Sequence, residues 1–386
     1  MAQSTTTAPP SDQKPASDQA PAPAPAAAPT PLPAPATSGP LQLSPPINFE
    51  IGSLGKYTIN GAVTGIGLFQ NNSVPGNNPQ EGAFTNAFIF FQKTSGWFQV
   101  YVQAGAYDLP SLGSAFISNA STNSNLYGPV PVAYGKLVVG KYTNILFGIL
   151  PTLIGAEYTF SFQNMNVERG LLWNQENAIN RGVQVNQTLG KYFSASFSYN
   201  DGFYSNRYDW LTGALTFTKG PHSVAFTAGG NLGQTNWQSL RTPIQNNSMI
   251  YDVIYTFTKG PWVIQPYMQY TDVPTNLKAG IPQGASTWGG AILASRVLKK
   301  GFSLTGRWEY IGSSGNLASN SANLLYGPGS TGWSLTATPT YQYKKFFTRA
   351  DISYVATSNF TPGFAFGSFG TKPSQTRGVV ELGFLF

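Results

Sequence analysis

The 386-residue sequence predicts a closed, up-and-down antiparallel β-barrel of about sixteen strands that spans a membrane. Three observations favour this all-β fold class. Only 10% of the residues are Asp, Glu, Lys or Arg, far below the roughly 25% of soluble domains. An alternation of apolar and small polar side chains with a period of two dominates from Tyr57 onward. Finally, short turns and long loops alternate between the predicted strands.

The alternation defines two faces in each strand. In residues 192–200, aromatic residues and an alanine alternate with three serines. In the last strand, Val380, Leu382 and Phe384 share one face, opposite Arg377 and Glu381. No segment contains the roughly twenty nearly continuous apolar residues that a membrane-spanning helix needs. A closed barrel is the other structure that satisfies every backbone group inside lipid.

Sixteen strands are predicted, most of them long enough to cross a bilayer when tilted. They cover residues 57–69, 83–93, 97–107, 130–139, 143–150, 181–189, 192–200, 210–218, 222–230, 249–258, 262–271, 287–298, 302–311, 332–343, 346–355 and 376–386. Because the number is even, both ends of the barrel fall on the short-turn rim, which is periplasmic in outer-membrane barrels. Pro266 and Pro339 lie inside predicted strands and lack a ladder donor, so we expect a bulge or a strand boundary at each.

The sequence divides into a tail and a barrel. Residues 1–46 are predicted to form a disordered periplasmic tail, and residues 47–386 the outer-membrane barrel. The Pro/Ala tract of residues 21–36 favours extended conformations and cannot bury a core. The N-terminus lacks the basic segment and apolar core of a signal peptide. We interpret Ala2 as the first residue left after signal cleavage, with Met1 added.

Basic and aromatic residues concentrate beside the predicted short turns. Ten lysines lie there or just before the first strand: Lys56, Lys93, Lys141, Lys191, Lys219, Lys259, Lys299, Lys300, Lys344 and Lys345. They account for the net charge of +7, which therefore does not indicate a nucleic-acid-binding stripe. An aromatic girdle at a membrane interface is predicted from Phe217, Phe257, Trp262, Phe302, Tyr343, Phe346 and Phe386. A soluble β-sandwich, the main alternative fold, would carry Lys and Glu on its polar face, where this sequence has mainly Ser, Thr, Asn and Gln.

The composition argues against several classes of functional site. There is no cysteine, which excludes disulfides, thiol catalysis and zinc–thiolate sites. The single histidine, His222, ends a short turn on the side away from the long loops and cannot form a two-histidine site. No nucleotide-binding or metalloprotease motif occurs. We therefore expect no catalytic residue, no metal, no cofactor and no enzymatic activity.

The candidate site consists of charged residues that strand parity directs into the lumen. The last strands contribute Arg307, Glu309, Arg349, Asp351, Arg377 and Glu381, and Asp252 also faces inward. The third long loop, residues 151–180, adds Glu157, Glu168, Arg169 and Glu176 among many apolar residues. We expect this loop to fold into the lumen and narrow it, with its acids facing the arginines; an external loop packed on its neighbours is the alternative. The lumenal charges can line the pore, stiffen the wall as cross-strand ion pairs, or do both. We find no row of inward-facing aromatic residues.

Several motifs are similar to those of a known family. They are Leu150-Pro151, Gly155-Ala156-Glu157, Asn164-Met165-Asn166, Arg169-Gly170-Leu171 and Arg181-Gly182-Val183. They resemble the OmpL-like beta-barrel porin-2 family, and the layout of residues 57–386 resembles general bacterial porins. The resemblance implies a bacterial outer-membrane porin, passive diffusion of ions and small hydrophilic solutes, no catalytic residues and, as in many general porins, a homotrimer.

A water-filled diffusion pore is the function that the sequence favours most, because a barrel of this size encloses an aqueous channel. Two alternatives stay open: a non-conducting surface or adhesion barrel whose long loops bind a partner, and a channel selective for one substrate class. With the ten lysines set aside, basic and acidic residues nearly balance, so no ion preference is predicted. Phe386 continues the lipid-facing row of the last strand and resembles the assembly signal read by the outer-membrane insertion machinery. The expected partners are this machinery, outer-membrane lipid, lipopolysaccharide and small solutes.

Overall fold

The structure is a computed structural model that describes residues 36–233, 243–299 and 301–386. Sixteen antiparallel strands form one sheet in which each strand pairs with the next along the chain. The last of them pairs with the first, with Leu382 opposite Gly65, and this pairing closes the barrel. The predicted fold class is confirmed.

A short strand, β1 (Ile47–Glu50), precedes the barrel and pairs with the start of β2. The barrel strands are β2 (Lys56–Gln70), β3 (Gln80–Lys93), β4 (Phe98–Tyr107), β5 (Val132–Val139), β6 (Thr143–Pro151), β7 (Ile179–Leu189), β8 (Phe193–Asn200), β9 (Trp210–Lys219), β10 (His222–Asn231), β11 (Met249–Lys259), β12 (Trp262–Val273), β13 (Ala285–Lys299), β14 (Phe302–Ser313), β15 (Thr331–Tyr343), β16 (Phe346–Ser358) and β17 (Ser374–Leu385). Two helices, α1 (Asn119–Asn125) and α2 (Pro243–Asn246), lie in loops. In the part of the chain that the structure describes, no helix is long and apolar enough to cross a membrane.

Every predicted strand is present, and no strand bound differs from its prediction by more than three residues. Seven short turns lie on one rim and the long loops on the other, as the alternation of connection lengths predicted. Lys300, in the predicted turn between β13 and β14, lies outside the described residues. The barrel therefore has a short-turn rim, which also carries both ends of the barrel, and a long-loop rim.

The two faces of the wall differ as the parity argument predicted. On the outer face, Leu335, Ile352 and Leu382 are 54%, 64% and 62% exposed, which is stable only against lipid. On the inner face, Thr305 and Thr336 are buried. An apolar exterior around a polar interior is the arrangement of outer-membrane barrels.

Aromatic residues form a belt near each rim. Near the short turns, Trp262, Phe302, Tyr343 and Phe346 are exposed on the outer face, where the sequence placed a girdle. A second belt near the long-loop rim was not predicted; its ring pairs are Trp288 with Tyr310, Trp333 with Tyr354, and Tyr251 with Tyr270. Two belts are what a barrel needs at the two membrane interfaces.

The expected bulge or strand boundary at each in-strand proline is wrong. Pro266 pairs with Ile292 of β13, and Pro339 with Leu304 of β14, so each proline keeps one regular neighbour. Toward the other neighbour, the pairing stops for two residues and resumes in the same register. The missing N–H therefore removes local pairing on one side only, and the strand runs on.

Residues 36–46 pack inside the barrel at the short-turn rim; we call them the N-terminal strap. The Leu41 side chain is 1% exposed and lies in an apolar cluster with lumen-facing residues such as Phe347 and Leu385. Gln42 and Gln342 exchange two hydrogen bonds of 2.8 Å. The prediction placed these residues in a disordered tail, whereas the structure packs them against the wall; residues 1–35 of that tail lie outside the described residues.

Candidate pore constriction

The third long loop, residues 152–178 between β6 and β7, folds into the lumen. Phe160, Phe162 and Met165 are at most 2% exposed, and the acids of the loop are buried with them. Two single turns of 3-10 helix, Ser161–Gln163 and Leu172–Gln175, shape the loop. Because so much of it is buried, the loop is a structural layer of the barrel interior.

One asparagine fixes the conformation of residues 158–166, which we call the loop tip. The Tyr158 N–H donates to Asn164 Oδ1 at 2.7 Å, and Asn164 Nδ2 donates back to the Tyr158 carbonyl at 2.8 Å. Two residues on, Asn166 Nδ2 donates to Thr338 Oγ1 of β15 at 2.6 Å. The motif Asn164-Met165-Asn166 therefore ties the loop first to itself and then to the wall.

Arg307 of β14 joins the wall to the first acid of the loop. Its Nη1 lies 2.7 Å from Glu157 Oε1 and also donates to the Glu168 carbonyl at 2.7 Å. Its Nε lies 3.3 Å from Glu309 Oε2, an ion pair without hydrogen-bond geometry. Gly170 donates its N–H to Glu157 at 2.7 Å, and a Cβ there would lie 1.9 Å from the Glu309 carboxylate, so any other residue would force that carboxylate to shift.

Arg349 of β16 binds the loop tip. It pairs with Glu381 of β17 at 2.5 Å and donates to the carbonyls of Ser161 and Asn164 at 2.5 and 2.9 Å. Glu381 in turn accepts a hydrogen bond from Ser161 Oγ at 2.8 Å. This buried ion pair therefore connects the wall to the loop tip, and its hydrogen bonds to the tip offset the free-energy cost of removing its charges from water.

Arg377 of β17 connects two loops to the wall. It pairs with Glu168 at 2.7 Å and donates to the carbonyls of Ser111 and Ser114, in the second long loop, at 3.0 Å each. Asp351 accepts the backbone N–H of Glu168 at 2.8 Å. Of the arginine row, Arg307 and Arg377 therefore lie against loop acids, whereas Arg349 pairs with an acid of the wall.

Arg169 turns away from the arginine row. Its guanidinium lies over the Trp173 ring at 4.6 Å and donates to the Thr159 carbonyl at 2.7 Å. Burial lowers its pKa to about 10, although Glu157 and Asp108 oppose that shift. Burial also raises the pKa of Asp108. Arg169 is therefore a charge buried inside the loop.

Glu176 and Asp252 form a second acidic site, on the β11–β12 part of the wall, two strands from Arg307 of β14. Asp252 of β11 accepts hydrogen bonds from the Gly155 N–H at 3.0 Å and from Thr227 at 2.9 Å. Glu176 accepts one from Gln269 of β12 at 2.8 Å and lies directly against Gly155, where a Cβ would come 1.7 Å from its Oε2. In the described part of the chain, neither acid belongs to an ion pair.

Inward-facing aromatic residues are present, so the expectation of none is wrong. Phe88 and Phe90 of β3 face the lumen and pack under the loop, with ring centroids 4.7 Å from Phe160 and 5.7 Å from Phe162 respectively. The reason is a bulge: β2 and β3 shift register between Thr64 and Gly65, so the faces of β3 exchange partway along the strand. These rings form an apolar surface against which the loop packs, so the loop covers them.

The buried charges are unbalanced toward acid. Among the described residues, nine buried acidic side chains face five buried basic ones: Asp108, Glu157, Glu168, Glu176, Asp201, Asp252, Glu309, Asp351 and Glu381 against Lys136, Arg169, Arg307, Arg349 and Arg377. Arg181, which pairs with Asp201 at 2.8 Å, is a partly exposed sixth base. The interior is therefore acidic, although the whole chain is basic.

Toward the short-turn rim, the lumen is more open beside strands β8 to β12 than beside strands β15 to β17. Ser196, Ser223, Thr256 and Gln265, which face inward on strands β8 to β12, stay partly exposed there. On the β15 to β17 side, the loop tip and the strap are joined: Ser38 N–H donates to the Gln163 carbonyl at 2.8 Å. Water therefore reaches the lumen wall beside β8 to β12.

Comparison with known proteins identifies the family. The model of the family described as "Putative beta-barrel porin-2, OmpL-like" matches residues 56–386. The chain belongs to this family. It is a porin of the bacterial outer membrane, and its short-turn rim is the periplasmic one. No curated protein sequence matches this porin.

Solved structures similar to this porin are outer-membrane proteins. The outer-membrane channel DcaP of Acinetobacter baumannii superposes with a TM-score of 0.58 at 11% identity, covering 88% of this chain and 99% of its own. OmpT of Vibrio cholerae gives 0.57 at 11% identity, covering 86% and 98%. Salmonella typhi OmpF, in complex with daunomycin, gives 0.55 at 13% identity, covering 88% and 100%. At these identities the likeness supports the fold.

Sequence reasoning missed several residues of this porin's candidate constriction. Asp108, Gln269 and Tyr267 are buried beside the charged groups but were not among the candidates. Asp108 directly follows β4 and Gln269 lies opposite Asp252, so strand parity could have found Gln269. The packing of loop carbonyls on arginines has no sequence signal.

Proposed function

We propose that this porin forms a narrow, cation-preferring channel for the passive diffusion of ions and small hydrophilic solutes, constricted by the loop of residues 152–178. The observation that carries the proposal is the acidic interior of the barrel. Fixed carboxylates in a confined lumen raise the local concentration of cations and exclude anions. Lysines at the periplasmic rim are exposed to solvent and more strongly screened, so they oppose this preference weakly.

The narrowing of the lumen at the depth of the loop favours small solutes over large ones. The lumen-facing Leu150, Thr212, Asp252 and Thr336, which lie at the depth of the loop on different parts of the wall, are all buried. The same observation favours a second candidate function, a barrel that conducts no ions and displays its long loops. Conductance measurements separate the two.

The test is recording from purified, folded full-length porin in a planar lipid bilayer under a tenfold KCl gradient. We expect stepwise conductance and a zero-current potential displaced toward the potassium equilibrium potential. A displacement toward the chloride potential would contradict the cation preference. Folded protein that inserts without conductance steps would support the display function instead.

Two further readouts use the same recordings. Deleting residues 158–175 should raise the single-channel conductance, because it removes the loop tip from the lumen; an unchanged conductance would argue against the constriction.

The trimer form of Vibrio cholerae OmpT, which superposes with a TM-score of 0.52, supports the proposal that this porin also forms a homotrimer. Insertion events should then bring three equal conductance steps each.

A further inference from the structure

The acidic site on the β11–β12 wall has no basic partner. Glu176 and Asp252 are 6% and 2% exposed, and both contact Gly155. Asp252 accepts the N–H of Gly155, and the Glu176 carboxylate lies beside the Gly155 Cα. The structure describes no ion pair for either of them. Two adjacent carboxylates removed from water need a compensating charge or a proton.

Uncharged oxygens complete the cluster. The Tyr267 hydroxyl is buried without a hydrogen-bond partner, and Tyr267 lies two residues before Gln269 on the same inward face of β12. Gln269 directs its amide N–H to Glu176 and leaves its Oε1 buried and unpaired. One oxygen of each carboxylate, Glu176 Oε2 and Asp252 Oδ1, is likewise unpaired. Four buried oxygens without donors therefore belong to one small cluster.

We propose that Glu176, Asp252, Gln269 and Tyr267 form a binding site for a hard cation such as Ca²⁺ in the porin's constriction. Carboxylate, amide and hydroxyl oxygens are the ligands that Ca²⁺ takes, and no other ligand type is present in the cluster. No group of three or more Asp, Glu or His side chains is gathered for a metal within the described ranges, so the site is a weak one. With two charged ligands, a dissociation constant on the order of 1 mM is expected.

The site lies beside the open part of the lumen. Along β11 and β12, the layer below Asp252 and Gln269 is Ile254 and Tyr267, and Thr256 and Gln265 follow toward the periplasmic rim with partial exposure. The buried Ile254 and Tyr267 form a single layer between the site and this partly exposed wall, and a cation from the periplasmic side has to pass that layer. In this respect the inference rests on the proposed function, because the cation enters through the lumen.

The test is a terbium luminescence titration of the folded full-length porin, with Ca²⁺ as the competitor. Terbium replaces Ca²⁺ on oxygen ligands and is excited through nearby tyrosine, here Tyr267. We expect a saturable signal that Ca²⁺ displaces at about 1 mM. Glu176→Gln and Asp252→Asn should each weaken Ca²⁺ binding at least tenfold. Glu81→Gln, at the long-loop end of β3 on the far side of the barrel, should bind as the wild type does.

Proton release gives a second readout. Burial and the neighbouring Asp252 raise the pKa of Glu176, so a proton competes with the cation at higher pH than at an exposed glutamate. The charged groups that face Glu176 are Asp252, Glu157 and Glu309, and all three oppose its ionisation, whereas the hydrogen bond from Gln269 favours it. Adding Ca²⁺ in weak buffer should release protons from the wild type and fewer from Glu176→Gln.

A wild-type porin without a saturable, Ca²⁺-displaced signal would overturn the site, as would Glu176→Gln and Asp252→Asn variants that bind as tightly as the wild type. Should those variants fail to fold, Gln269→Glu tests the site in the opposite direction: a third carboxylate should tighten Ca²⁺ binding severalfold, and unchanged affinity would count against the proposal. Reversal potentials in KCl with a chelator test the cation preference separately. A cation-preferring channel without Ca²⁺ binding removes the site alone, and Ca²⁺ binding without conductance removes the channel alone.

Discussion

At the scale of single residues, buried arginines hold the loop in the lumen. Arg307, Arg349 and Arg377 each bind at least one carboxylate and at least one loop carbonyl. A guanidinium suits this task because it presents five donors in a fixed plane, whereas an ammonium group presents a single point of charge. Removing one partner of such a pair leaves the other charge buried and unpaired.

Arg349→Met tests this role. The substitution removes the ion pair with Glu381 and the hydrogen bonds to Ser161 and Asn164, and it leaves a buried carboxylate alone. We expect a loss of about 3 to 5 kcal/mol of stability and a higher, noisier single-channel conductance as the tip loosens. The measurements are urea unfolding in detergent and bilayer recording.

Two comparisons make the Arg349 result specific. Arg349→Lys keeps the charge but not the fork, so it should fall between Met and wild type in both readouts. Lys56→Met removes an exposed ion pair with Glu50 and should change neither. Wild-type stability and conductance in Arg349→Met would show that the pair does not hold the loop.

Strand parity predicted the positions of the wall charges but not those of the loop charges. Parity alone placed the arginine row and its acids on the inner face, because side chains alternate strictly along a regular strand. It could not show that Arg169 turns to Trp173 instead, since loop residues have no such period. It also could not pair Glu176 with Gln269, because that contact depends on how the loop folds back onto β12.

At the scale of elements, the strands were predictable and their irregularities were not. Strand bounds followed from the alternation and the turn residues, both of which are local. The bulge between β2 and β3 depends on the pairing of two strands, and it moved Phe88 and Phe90 to the lumen. The strap escaped prediction because its composition is that of a tail, yet Leu41 lies in the core of the barrel.

Leu41→Asp tests the role of the strap. The side chain is buried among lumen-facing apolar residues, so a carboxylate there should expel the strap from the barrel. Because Ser38 and Gln163 link the strap to the loop tip, its loss should also loosen the tip and raise the conductance. Leu41→Ala should act in the same direction with a smaller effect, at a stability cost of about 2 to 5 kcal/mol.

The control for the strap is Ile47→Asp. Ile47 follows the strap in β1 but is 62% exposed, so the same change there should leave conductance and thermal stability near wild type. Equal conductance of Leu41→Asp and wild type, in folded protein, would mean that the strap does not brace the loop.

At the scale of the whole molecule, the rim, the outer face and the interior of the barrel differ in charge. The turn lysines lie at the periplasmic rim, the outer face is apolar, and acids outnumber bases inside. The sequence showed the first two features, because turns and strand faces can be read locally. The acidic interior emerged only once loop residues were placed in the lumen, which is why nearly balanced totals gave no ion preference.

The closure of the barrel ends on the terminal residue. Phe386 donates its N–H to the Gly61 carbonyl at 3.0 Å and accepts the Gly61 N–H at 2.8 Å. Its ring lies over Gly61 on the outer face and stacks on Phe384 at 5.6 Å. The last residue therefore completes both the seam between β17 and β2 and the periplasmic aromatic belt.

We expect Phe386→Asp, or residues appended after Phe386, to impair insertion into the outer membrane more than conductance. The charge would disrupt the belt and the seam at the end that the insertion machinery is expected to read, whereas the constriction lies elsewhere in the lumen. The measurement is the amount of folded porin in outer-membrane fractions, from its heat-dependent gel mobility, beside single-channel conductance of the protein that does insert. Phe302→Asp is the matched control, because Phe302 occupies the same belt and is 51% exposed but is not terminal. A much larger insertion defect in Phe386→Asp than in Phe302→Asp indicates that the terminus is read, equal defects reduce its role to that of a belt residue, and normal insertion of both variants contradicts either role.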